Sequence, residues 1–286
     1  MIPAAFDYRL AAGLEEAVSL LAGNEDAKLL AGGHSLLPLM RLRLARPSLL
    51  VDIGGLRRQL SFIRDEDGWI VVGAMTRHHE LTTSPVLRHR LPLLAHAAGM
   101  VGDPQVRHRG TIGGSLAHAD PAGDLPAALV ALDGVVVARG PGGQREIPAA
   151  RLFAGFLETD LRPDEVLVEV RVPTPAVGHG WAYIKFNRRA QDWATVAVAA
   201  VVERSGEAVS RVAVGLANMG QTPLRARGVE EALTGGGPDA VPDAAERAAD
   251  GTAPVDDLAA SADFRRHLAR VLTRRALGEA LSRSSR

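Results

Sequence analysis

Two glycine pairs constrain this chain more than any other feature of its sequence. They stand in AGGHS, residues 31–35, and in TIGGS, residues 111–115, each between an apolar approach and a second apolar segment. Glycine tolerates positive φ and has no Cβ, so main-chain amides at such a junction can come close to an anion. Successive amides beside a helix start form a concave donor surface suited to phosphate, and Ser35, Thr111 and Ser115 add hydroxyls. Neither pair completes G-x-G-x-x-G or the G-K-[ST] phosphate loop. One such pair is as much at home in a tight turn; two in one chain, both flanked by hydroxyls, point to the two sides of a single pyrophosphate.

The pattern around the loops predicts mixed helix and sheet. GLEEAVSLLAG has Leu14, Ala17, Val18 and Leu21 on one helical face, AKLLAGGHS a short strand running into the first pair, SLLPLMRLRL a helical turn and SLLVDIGG a buried strand. GWIVVGAMT, GVVVARG and EVLVEVRVP read as strands, LPLLAHAAGMV and LPAALVAL as helices. Pro173, Pro175, Gly178 and Gly180 mark a boundary. WAYIKFNRR, WATVAVAAVVER and SRVAVGLA then predict three antiparallel strands, followed by helices over 223–233 and 263–280 with a loop containing a short helix between them. In the last helix Phe264, Leu268, Val271 and Leu272 form an apolar stripe, with Arg265, Arg266, Arg270 and Arg274 on the solvated face. The divisions expected are residues 1–55, 56–176 and 177–286.

The 286 residues carry 33 Lys+Arg against 33 Asp+Glu, so no general basic face for nucleic acid is implied. The absence of cysteine excludes disulfides, zinc-thiolate sites and iron–sulfur ligation by this chain. Any redox centre held here is an organic cofactor or a metal on His and carboxylates. No run approaches the length needed to span a bilayer and the N-terminus does not read as a signal peptide, so a cytoplasmic location is expected.

Three clusters have competing readings. His118-x-Asp120 with a distant His179 has the spacing of a two-histidine, one-carboxylate iron site, whereas Asp124 is suited to capping the helix that follows it. Arg77-His78-His79-Glu80 reads as a solvated helix start. Lys185 is either an ordinary sheet-edge residue or a positive charge placed against an electron-rich ring.

Taken together, LAGGHSLLPLMRLRLARPSLLVDI, GDPQVRHRGTIGGSLAHADPAGDLPAAL and YIKFNRRAQDWATVAVA resemble the FAD-binding medium subunits of the molybdenum hydroxylase (xanthine dehydrogenase) family. The resemblance covers nearly the whole chain and is closest to the aerobic carbon monoxide dehydrogenase type. It implies an α+β architecture: a p-cresol methylhydroxylase-type FAD fold of two α/β subdomains, followed by a C-terminal domain with a three-stranded antiparallel sheet and helices.

The resemblance carries FAD binding, including its pyrophosphate, to Ala31, Gly32, Gly33, His34 and Ser35 and to Thr111, Ile112, Gly113, Gly114 and Ser115. It carries a flavin hydrogen bond to Asp124, a position near the isoalloxazine ring to Lys185, and apolar packing to Val101 and Leu167. Many relatives have Asn at the position of Ser115 and some have an aromatic residue at that of Val101; Trp193 offers aromatic surface instead. The implied function is electron transfer from two [2Fe–2S] clusters on a small subunit to an external acceptor. The molybdopterin would lie on a large subunit, the assembly being a dimer of heterotrimers. A stand-alone flavin oxidoreductase of the same fold and a flavin-free structural subunit are the alternatives.

Overall fold

The computed structural model describes residues 2–285. Its first sheet is parallel, in the order Asp7–Leu10, Leu49–Asp52, Lys28–Leu30. The helix Leu14–Ala22 buries Leu14, Ala17, Val18 and Leu21, the face its spacing predicts. These residues share a core with Leu49, Val51 and Ile53. The first glycine pair leaves the end of the Lys28–Leu30 strand and runs into the short helix Leu36–Arg41.

The second sheet is antiparallel, in the order Ile63–Glu66, Trp69–Gly73, Val166–Pro173, Val135–Gly140, Gly143–Pro148. Its middle strand comes last in the chain, so the segment carrying the second glycine pair falls, in sequence, between the second strand of the sheet and its middle one. That segment comprises the helices Pro92–Gly99, Ile112–His118 and Asp124–Ala131. Every residue of the Asp124 helix is buried, because sheet and helices cover it on all sides.

The third sheet is a meander of Gly180–Phe186, Val196–Ser205, Ala208–Ala217 and Leu224–Arg225. The three expected long strands are there, and a two-residue fourth strand precedes the helix Arg227–Leu233. The Val196 strand explains its own composition. Ala197, Ala199 and Val201 face the core containing the Asp124 helix, while Val196, Val198, Ala200 and Val202 face the core containing the long helix Ala262–Arg283. Alternate residues of a strand point to opposite faces, so a strand covered on both sides reads as one apolar run. Contact on the first face is close: a Cβ at Gly215 would strike the carbonyl of Ala127.

The long helix corrects one expectation. Arg265 is not solvated but 1% exposed. Its guanidinium donates to the Thr195 carbonyl at 3.0 Å and meets Asp257 at 2.6 Å. Its position falls on the same helical face as Leu268, Ala269 and Leu272, which are buried, whereas Phe264 sits at the edge, half-exposed. Among the described residues no helix is long and apolar enough to cross a membrane.

Candidate functional site

The two glycine loops, distant in sequence, meet main chain to main chain. A Cβ on Gly32 would strike the carbonyl of Arg109 and come within 2.8 Å of the Gly110 Cα. Only glycine permits that approach, and Gly33 adds the left-handed conformation, φ +78°, that turns the chain into the Leu36 helix. Ala31, Gly32, Gly33 and Ser35 are half-buried and His34 is exposed.

The second loop is clamped from below. His78 N donates to the Gly110 carbonyl, Ile112 N to that of Thr76, and Gly113 N to that of Ala74, at 2.9–3.0 Å. A Cβ on Gly113 would lie 2.7 Å from that of Ala74. Ala74 N in turn bonds the Val168 carbonyl at 2.9 Å, beside an irregularity between Leu167 and Glu169 in the pairing of the Val166 strand. Leu167 therefore lies in the core beneath this loop. Thr111 caps the Ile112 helix, its hydroxyl accepting from Gly114 N at 3.1 Å. Thr111, Ile112 and Gly113 are buried, while Gly114 and Ser115 remain half-exposed on the open side.

Charge gathers around this cradle. His78 is not a solvated residue but a buried one: it starts the helix His78–Thr83, with Arg77 as the residue before it. Its Nδ1 is buried without a hydrogen-bond partner. Burial, with Arg107 and His34 nearby, pushes its pKa down to about 4. Burial and the like charges of Arg57 and Arg109 also lower that of Arg77. Arg57, Arg77, Arg107 and Arg109 thus set positive charge around the close-packed glycine main chain, which suits an anion such as a pyrophosphate.

A second cluster lies beyond the turn that follows the Ile112 helix. Ala119, φ +54°, and an Asp120 side chain accepting from Ala122 N at 2.8 Å shape that turn. Asp124 then opens the next helix, but Gly123 occupies the cap position and Asp124 caps nothing. Its carboxylate instead accepts from the Tyr183 hydroxyl at 2.7 Å and from Lys185 Nζ at 2.9 Å. The Lys185 and Asp124 side chains are 1% and 3% exposed. Lys185 Nζ also donates to the Met100 carbonyl at 3.0 Å, and Arg107 Nη1 donates to the Val101 carbonyl at 3.0 Å. The segment carrying Val101 is thus held from both sides.

Burial pushes the Asp124 carboxyl up, against the opposing pull of Lys185 and the Tyr183 hydrogen bond. Burial, then the Asp124 charge, pushes the Tyr183 phenol well above its ordinary range, so it stays protonated and donates.

The structure therefore gathers Ala31–Ser35 with Thr111–Ser115, and Asp124 with Lys185 and the Val101 segment. Sequence reasoning missed His78, Arg107 and Tyr183. Of these Tyr183 carried a readable signal, standing two residues before Lys185 and hence on the same face of a strand. Trp193 is 56% exposed. His118, Asp120 and His179 do not converge: among the described residues no three His, Asp or Glu side chains are grouped to hold a metal ion. The His179 ring nitrogen instead meets the Ala176 carbonyl.

Residues 4–175 match the family described as FAD binding domain in molybdopterin dehydrogenase, and residues 181–280 match that described as CO dehydrogenase flavoprotein C-terminal domain. The carbon monoxide dehydrogenase medium chain of Hydrogenophaga pseudoflava is 45% identical over 286 residues, covering 99% of each chain. The 6-hydroxypseudooxynicotine dehydrogenase complex subunit alpha of Paenarthrobacter nicotinovorans is 41% identical over 99% of this chain and 97% of its own length. Among solved structures, carbon monoxide dehydrogenase from Hydrogenophaga pseudoflava superposes with a TM-score of 0.97 at 46% identity, covering 100% of both chains.

Proposed function

The chain belongs to the FAD-binding molybdopterin dehydrogenase family, as an oxidoreductase subunit of the carbon monoxide dehydrogenase and xanthine dehydrogenase type, and from that premise we propose that it passes electrons from the [2Fe–2S] clusters of a small partner subunit to an external acceptor. FAD supplies one- and two-electron redox chemistry when bound. A large partner subunit would hold the molybdopterin, and the assembly would be a dimer of heterotrimers. With no cysteine in its sequence, this chain has no thiolates with which to hold the clusters itself.

The observation that carries the reading is the main-chain contact of the two glycine loops next to the closed cluster of Asp124, Tyr183 and Lys185. In this reading Ala31, Gly32, Gly33, His34 and Ser35 and Thr111, Ile112, Gly113, Gly114 and Ser115 hold the pyrophosphate, with Gly114 and Ser115 on the open side. Asp124 and Lys185 face the flavin end, and Val101 and Leu167 shape its apolar wall. The acid and the base at that end are bonded to each other, an arrangement that suits holding and tuning a redox ring more than proton transfer to a substrate. The three larger sheets, one in each part, support a division into residues 1–55, 56–176 and 177–286.

The test is to purify the chain with its partner subunits and follow cluster and flavin absorption after partial chemical reduction. Electrons placed on the clusters should appear on the flavin. A Gly114→Val chain, in which an added Cβ would meet the Thr111 hydroxyl at 2.9 Å, should assemble, lose FAD and leave the electrons on the clusters. Clusters that discharge to the acceptor equally well without the flavin would overturn the proposal.

A further inference from the structure

Tyr183 and Lys185 project from the same face of the Gly180 strand, and the Asp124 carboxylate lies between them. One oxygen accepts from the phenol at 2.7 Å and the other from the ammonium at 2.9 Å. We propose that Tyr183 is a positioning residue of the flavin site: its hydroxyl fixes the Asp124 carboxylate beside Lys185 and so sets the charge which that end of the site presents to the bound ring. The inference rests on the reading that FAD lies with its ring at this end.

The geometry leaves the phenol no other role in the hydrogen-bond network. Tyr183 is buried among apolar residues, and the core it shares with the Asp124 helix contributes Ala197, Ala199, Val201, Ala213 and Ala217 from the neighbouring strands. A hydroxyl placed there without an acceptor would cost stability; bonded to Asp124, it supports one ionisation state of that carboxyl. The titratable groups acting on Asp124 are Lys185 and Tyr183 from the Gly180 strand and Asp120 from the preceding turn. The Pro92–Gly99 helix and its following residue offer the Met100 carbonyl to the ammonium. With burial already favouring the neutral carboxyl, the phenol and the ammonium are what hold it charged. A group that only filled space would act on stability; one that holds a charge acts on the redox ring as well.

The test compares the flavin-loaded wild-type protein with Tyr183→Phe, measuring the flavin midpoint potential across pH. Loss of the hydrogen bond should move the inflection belonging to Asp124 upward by about one pH unit. Between the two inflections the variant carries one more positive charge at the site, so its potential should lie above that of the wild type; at higher pH the curves should converge. The chain has two tyrosines, Tyr8 and Tyr183, so fluorotyrosine labelling of a Tyr8→Phe chain alters this one phenol without changing its shape. The stronger donor should move the inflection downward, which keeps the proposal testable where Tyr183→Phe fails to fold. Coincident inflections in wild type and either altered protein, with only occupancy or thermal stability changed, would overturn the role of Tyr183 and leave the flavin reading intact. A wild-type protein that takes up no FAD would overturn both.

Discussion

The two ends of the Asp124–Ala131 helix are both tied to the C-terminal sheet by charge, and they resolve the same physical conflict in opposite ways. At the far end Arg225 donates to the Val130 carbonyl at 3.0 Å, to Asp133 and to Glu230 at 2.6 Å. Glu230 also accepts from Val214 N at 2.9 Å and from Arg227 at 3.1 Å. Burial lowers the pKa of Arg225, but the two carboxylates outweigh it and the net shift is upward. At the near end burial outweighs the compensation, and the Asp124 carboxyl stands above its ordinary range despite Lys185 and Tyr183. A charge more than matched by its partners is a structural tie. One held against its own solvation is typical of a site where charge is put to use.

The largest effect should come from breaking the far end. Glu230→Ala leaves Arg225 buried with Asp133 as its remaining carboxylate, and removal of one partner from a buried pair costs about 4 kcal/mol. Urea unfolding should show that loss, while FAD affinity of the folded protein stays at the wild-type value. Impaired FAD binding in this variant would erase the distinction between the ends.

Next in size is His78, on the cradle side. Its pKa is about 4 in the fold against 6.5 for the free side chain. Between those values the unfolded chain binds the extra proton, so stability is full above pH 6.5 and is lost as pH falls towards 4, by about 3 kcal/mol. Thermal unfolding of His78→Gln across this range should show a shallower decline than that of the wild type. Parallel declines would mean that the buried imidazole does not contribute.

The smallest effect sharpens the comparison by its sign. Lys185→Met leaves Asp124 buried without its ammonium, and its raised pKa should rise further. An acid whose folded pKa exceeds its unfolded one contributes stability below the unfolded value, lost as pH rises through the folded value. The variant should therefore be less stable than the wild type by about 2 kcal/mol near neutrality and regain part of that on acidification, since the carboxyl can take up a proton. A deficit independent of pH would mean that Asp124 stays charged without the lysine.

Much of this was legible in the residues. Apolar runs located the three long strands of the last sheet, helical spacing located the Leu14 helix, and the glycine pairs marked the loops that come together, because main-chain freedom is a local property. The capping reading of Asp124 and the solvated reading of His78 failed for the same reason. A carboxylate at a helix start looks like a cap until Tyr183 and Lys185 arrive from another element, and Arg-His-His-Glu looks solvated until a loop closes over its first histidine. Arg265 was misassigned because arginine is ordinarily an outward residue. Its position on the stripe of Leu268 and Leu272 was readable; its bond to Thr195, 70 residues away, was not.

The sequence by itself determined where the chain can turn tightly, where the three long strands of the last sheet run, and that iron–sulfur clusters have no thiolate here to hold them. Composition and local spacing settle those matters. Only the tertiary structure decided that Gly32 would press against Gly110, that Asp124 would meet Lys185 across 61 residues, and that His78 would be kept neutral. Each depends on distance and on exclusion of water, and neither exists until remote parts of the chain have packed together.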